Sequence, residues 1–264
     1  MMVAVLVLSA GCNKQNPAGD SQDSLENTMD SKGNVSVNGV KFKMIKVDGG
    51  TFKMGGTPEQ GPIITDEQLP VHEVTLSDYW IGETEVTQEL WTAVMGSNPS
   101  HGPIDPQCPV SWVSWNDIVN DFLPKLNELT GKTFSLPTEA QWEFAARGGN
   151  LTKGYEYSGS NKLDEVAWFC DNSAKHTQPV GKKLPNELGI YDMSGNVAEW
   201  CYDFYGTYSA DSQTNPTGPV SGNAHVVRGG GHNFTSRNCR VSDRAFRYDS
   251  NGKATFYSFR LALQ

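Results

Sequence analysis

GIYDMSGNVAEWC, residues 189–201, crowds Gly189, Gly195, Asn196, Glu199 and Trp200 into a span too short for a full helix and too irregular for an alternating strand. Such a composition reads as consecutive turns that hold polar groups around one point. Two roles fit it. Asn196, the carbonyl of Val197 and Glu199 offer the amide, backbone and carboxylate oxygens that a hard cation such as calcium prefers. Alternatively, Asn196 and Glu199 satisfy turn backbone groups while Trp200 fills the core.

The flanks are more regular. Val40 to Gly55 alternates apolar and polar residues around Asp48-Gly49-Gly50, the pattern of two strands joined by a tight turn, and Val71 to Tyr79 repeats the alternation. Three helices follow. Thr87 caps the first, which carries Leu90, Trp91 and Val94 and stops at Gly96. The second starts near Ser114 and Asp117 and runs to Gly131 with a kink expected at Pro124. Thr138 and Gln141 form a capping box for the third, which Gly148 ends. Trp80, Trp91, Trp142, Trp168 and Trp200 lie within these patterns and read as packing residues.

The chain opens with MMVAVLVLSAGC, an apolar run too short to span a bilayer and ending in small residues before a cysteine. It reads as a signal segment, and its LSAGC ending resembles a bacterial lipoprotein processing site, so residues 1–12 are the expected leader and Cys12 the expected lipidated residue. Residues 13–38 are polar and read as a flexible tether, leaving 39–264 as one domain. With 27 Gly and 14 Pro in 264 residues, that domain is expected to be rich in turns and poor in long elements. The net charge of −9 argues against a nucleic-acid partner, which requires clustered Lys and Arg. The five histidines show no metal-ligand spacing, and neither a Walker-type loop nor a G-x-S-x-G elbow is present.

Around the central stretch stand EVTQELWTAVMGSNPS, PVSWVSW, FSLPTEAQWEFAARGG, VVRGGGHNF and FRLAL, in this order. Together they resemble the formylglycine-generating-enzyme, or sulfatase-modifying-factor, family, from about Val40 to Leu263. The resemblance implies an α+β, C-type-lectin-like fold, irregular and loop-rich. It also places Asp171 and Asn172 where the family contributes to a calcium site. In the family, a pair of cysteines five residues apart after R-G-G binds copper(I), a soft ion that prefers thiolates. Here Cys239 falls on the second position, but Phe234 stands on the first, and His232 is the remaining candidate for a second ligand. With Cys12 set aside, Cys108, Cys170, Cys201 and Cys239 permit disulfides in three connectivities.

From Arg228 onward, the sequence is similar to the variable C-terminal segment of lectin-fold proteins diversified by retroelements. Exposed aromatic and small polar residues suit recognition, because rings supply contact area at little entropic cost. The contact candidates are His232, Asn233, Phe234, Arg237, Asp243, Phe246, Tyr248, Phe256 and Tyr257. The expected protein is an exported lipoprotein of the bacterial envelope, anchored to the membrane through Cys12. Its expected activity is non-catalytic binding of a protein or surface ligand, with structural calcium. A copper-dependent cysteine oxidase using Cys239 is the enzymatic alternative, and an accessory envelope protein is the third reading.

Overall fold

The computed structural model describes residues 28–244 and 247–264, so Cys12 with its leader and Phe246 lie outside the described residues. In chain order the strands are β1 (Asn34–Val37), β2 (Val40–Val47), β3 (Gly50–Met54), β4 (His72–Leu76), β5 (Tyr79–Gly82), β6 (Ala198–Phe204), β7 (Gln213–Thr214), β8 (His225–Arg228), β9 (Arg247–Tyr248), β10 (Tyr257–Ser258) and β11 (Ala262–Leu263). They form three small sheets, ordered β1-β2-β5-β11, β10-β6-β8-β9 and β3-β4-β7. The α+β, loop-rich reading holds.

Two expectations need correction. The strands flanking Asp48-Gly49-Gly50 do not pair with each other: β2 pairs with β1 and β5, while β3 pairs with β4. The turn is a corner between sheets. Gly49 passes so close to the β4–β5 link that a Cβ there would lie 2.3 Å from the Leu76 carbonyl oxygen, and its N–H donates to Asp78 Oδ1 at 2.8 Å. That contact turns the chain away from hairpin pairing. The folded domain also begins before residue 39, because β1 pairs with β2 and buries Val35 and Val37.

The helices follow their caps. Thr87 Oγ1 accepts from Leu90 N at the start of α1 (Gln88–Met95), and Gly96 closes it in the left-handed region. The second helical segment departs from a simple kink. Residues Asp117–Phe122 wind as a wider turn in which Leu123 N–H reaches Ile118 O, and α2 (Leu123–Thr130) starts anew. Pro124 thereby occupies the first turn of α2, where its missing N–H costs nothing. The Thr138–Gln141 capping box is formed at α3 (Glu139–Ala146), all of whose residues are buried.

Aromatic packing joins the layers. Trp91 stacks on Phe122 with centroids 4.9 Å apart, and Phe122 meets Phe259 edge-on at 5.2 Å. Trp91, Trp142 and Trp200 are buried as expected of packing residues. The central stretch becomes a set of turns leading into β6. Gly195 N–H donates to Gly229 O, Asn196 N–H to Trp168 O, and Asn196 O accepts from His232 N–H. Asn196 thus ties two distant segments to its own through its backbone. Gly195 has φ +83°, and a Cβ there would come within 2.4 Å of Trp168 O. Gly195→Ala is therefore expected to destabilise the domain by more than about 2 kcal/mol in chemical denaturation.

Candidate functional site

The central turn brings Glu199 to the first residues of β6, fully buried, opposite Arg260. Arg260 Nε donates to Glu199 Oε2 and Arg260 Nη2 to Oε1, both at 2.6 Å, and Trp142 Nε1 donates to Oε2 at 2.8 Å. A second buried network lies beyond Trp142. Arg228 donates to Glu139 and Glu143, and Arg244 donates to both oxygens of Glu139. The Arg228 guanidinium also sits over the Trp142 ring at 5.2 Å. A buried charge stripped of its partner is costly, so these pairs are mutually dependent.

These partners occupy the side chains that the sequence nominates as metal ligands. Glu199 is occupied by Arg260 and Trp142, and Asn196 Oδ1 accepts from Gln178 N–H, so neither of these side chains is left free for a cation beside Val197. Asp171 and Asn172 do not join them either. Asp171 is exposed and accepts from the Cys170 thiol, while Asn172 caps its own turn at Phe169 N. Among the described residues, no three His, Cys, Asp or Glu side chains group so as to hold a metal ion.

Two further buried carboxyls, with oxygens of the kind a hard cation prefers, stand next door. Both carboxylate oxygens of Glu85 and Oδ1 of Asp192 are buried with no hydrogen-bond partner. Asp192 Oδ2 accepts from Gly181 N–H at 2.7 Å, and Tyr191 N–H on Glu83 O joins the two segments. Glu85 and Gly181 line a cavity of about 320 Å³. Burial raises both carboxyls, Asp192 to about 6, and each is also pushed up by the Glu199 charge. Unpartnered carboxylate oxygens on a cavity are what a hard cation would satisfy. Glu85 belongs to no recognisable ligand motif in the sequence, so its unpartnered oxygens emerge only from the fold.

The C-terminal segment forms a mixed surface. Asn233 and Arg237 are exposed, as are Thr235 and Ser236 between them. Phe234 and Phe256 are half-buried and meet edge-on at 5.1 Å, with Tyr248 beside them against the core. His232, Asp243 and Tyr257 are corrections to the contact list, being 4%, 2% and 2% exposed. Tyr257 belongs to β10 and packs on Trp200, Asp243 accepts from Asn238, and the buried His232 ring leaves Nδ1 without a partner. The face gains Trp112, which sequence reading passed over. It has φ +63°, a rare conformation for a bulky residue, stacks flat on His101 at 4.5 Å, and donates its N–H to Ala254 O.

The copper positions do not match a two-thiolate site. Phe234 fills the first with an aromatic ring packed on the core. Cys239 is wholly buried and burial drives its thiol far up. Elsewhere, Asp203 lines a cavity of about 280 Å³ with His72, Tyr208 and Arg244, and its Oδ2 accepts from Glu139 N–H at 2.8 Å to cap α3. Burial, with the Glu139 charge, raises Asp203 to about 8.

With this geometry, the chain belongs to the sulfatase-modifying factor enzyme 1-like domain family, whose profile matches residues 33–264. It is 32% identical over 263 residues to the chaperone protein LppX of Paenibacillus barcinonensis, covering 81% of this chain and 86% of that protein. The formylglycine-generating enzyme of Streptomyces coelicolor is 31% identical, covering 71% and 78%. Among solved structures, Treponema denticola variable protein 1 superposes with a TM-score of 0.78 at 33% identity, over 87% of this chain and 98% of that one.

Asp203 gives the fold a pH dependence. Its folded pKa lies above the ordinary carboxylate value, so the folded state holds the proton more tightly. Stability therefore falls as pH rises from about 4 to about 8, by at most about 1.4 kcal/mol per pH unit. Asp203→Asn keeps the cap on Glu139 N–H without the charge. Urea unfolding of this variant is expected to show a flatter pH profile and, at pH 8, a stability roughly 2 kcal/mol above that of the parent.

Proposed function

We propose that this chain is an envelope-anchored, non-catalytic member of its family that binds a protein partner through residues 231–239, 248–257 and Trp112. The observation that carries this reading is the replacement at Phe234. Where the catalytic pair of the resembled enzymes needs a reactive thiol, this chain places a ring packed against Phe256, and the remaining Cys239 is sealed from solvent. The exposed Asn233, Thr235, Ser236 and Arg237 beside Phe234, Phe256 and Trp112 supply adaptable hydrogen bonds around rigid aromatic surface. The likeness to a chaperone protein and to a variable protein supports a protein partner over a small substrate. A lipid attached at Cys12 would keep the chain as a whole at the membrane surface.

The reaction test is direct. Reduced protein supplied with copper(I), oxygen and a cysteine-containing sulfatase-type peptide is expected to give no aldehyde by mass spectrometry. Aldehyde formation would assign oxidase chemistry to this chain instead.

Calcium in this reading is structural and held by Glu85 and Asp192. Calcium is expected to raise the melting temperature by several degrees over a chelated sample, since binding at 100 times Kd adds about 2.7 kcal/mol. Glu85→Gln removes a buried carboxyl without a partner, so the chelated variant should melt at or above the parent and show no response to calcium. An unchanged calcium response in this variant would place the ion elsewhere.

A further inference from the structure

The fold brings a second thiol to the loop that carries Cys239. Cys170 follows the Trp168 turn, and its backbone N–H donates to Phe234 O at 3.0 Å. Cys239 Sγ lies 3.7 Å from the next carbonyl along, Thr235 O. Cys170 also packs against the small apolar cluster of Tyr157, Leu163, Val166, Ala167, Phe169 and Cys239. The two cysteines therefore approach the same short turn from segments 69 positions apart in sequence. The other two described cysteines lie elsewhere. Cys108 is buried with its thiol directed at Thr177 O, and Cys201 sits inside β6 in a different core cluster.

We infer that Cys170 and Cys239 form a redox-active pair that closes to a disulfide, fastening the Trp168–Cys170 turn to the recognition loop. Their exposures assign the order of events. Cys170 is partly exposed and Cys239 is fully enclosed. An external disulfide is attacked by the Cys170 thiolate, forming a mixed disulfide and releasing one thiol. Cys239 then attacks Cys170 Sγ and expels the second thiol. The net change is two protein thiols plus one disulfide donor giving one protein disulfide and two donor thiols. The two electrons and two protons leave with the donor.

Around Cys170 stand Asp171, whose Oδ1 accepts from the thiol at 3.1 Å, and Lys175. Asp171 holds the Cys170 thiol above its ordinary range, and burial does the same to Cys239, so closure is slow near neutral pH and accelerates with alkalinity. Once closed, the link limits the freedom of Asn233 to Arg237 relative to the Trp168 turn. Partner binding through that loop then depends on the thiol state.

The test uses the full chain, reduced and then incubated folded with glutathione disulfide. Remaining thiols are alkylated in denaturant, and the chain is digested with trypsin without reduction. The expected product joins the peptide 163–175 to the peptide 238–240 through one disulfide, and the oxidised chain melts roughly 5–10 °C above the reduced one. Cys170→Ser, a mild change at a partly exposed site, should abolish both the product and the thermal gain. Recovery of both peptides alkylated, glutathione retained on Cys170, or a link from Cys170 to Cys108 or Cys201 would each overturn the assignment. So would a Cys170–Cys239 link in a chain that melts no higher than the reduced form.

Discussion

The interaction on which this fold depends is the enclosed pairing of Glu199 with Arg260. Neither side chain reaches solvent, and each of their charged groups is satisfied only by the other and by a few fixed donors and acceptors. The Glu199 carboxylate fixes the Trp142 indole, and the Arg260 guanidinium donates to Gly82 O and Tyr191 O. One ion pair thus registers α3, β5, β6 and the central turn against one another. Several of the strands are only two residues long, so the sheets contribute few ladder hydrogen bonds at their edges and lean on such a cross-brace.

The same logic extends through Trp142 to the Glu139, Glu143, Arg228 and Arg244 network. Arg228 precedes the loop that carries Asn233 to Arg237, and Arg244 follows it. Both ends of the variable-looking segment are therefore clamped to α3, whereas the residues between them face outward at Asn233 and Arg237. A loop held this way accepts substitution at its tip without disturbing the core. That separation of frame from tip is what the proposed recognition surface would require.

Much of the frame was legible in the sequence because it rests on local chemistry. The caps at Thr87 and Thr138 and the stop at Gly96 follow from groups a few residues apart. What escaped is non-local. The Asp48-Gly49-Gly50 turn reads as a hairpin until Asp78, from another strand pair, captures Gly49. Glu199 reads as a metal ligand until Arg260 arrives from 61 positions away. His232, Asp243 and Tyr257 look like surface residues by type, yet their burial is set by what folds over them. Trp112 was missed because a left-handed backbone at a tryptophan has no sequence signature.

The position of Arg260 carries a consequence for how the chain matures. Until the ribosome has made residue 260, Glu199 has no counter-charge and the interior around it cannot close. β11, which completes the first sheet against β5, comes later still. This part of the interior therefore closes only after residue 260 has been made, however early the helices and the first strands form.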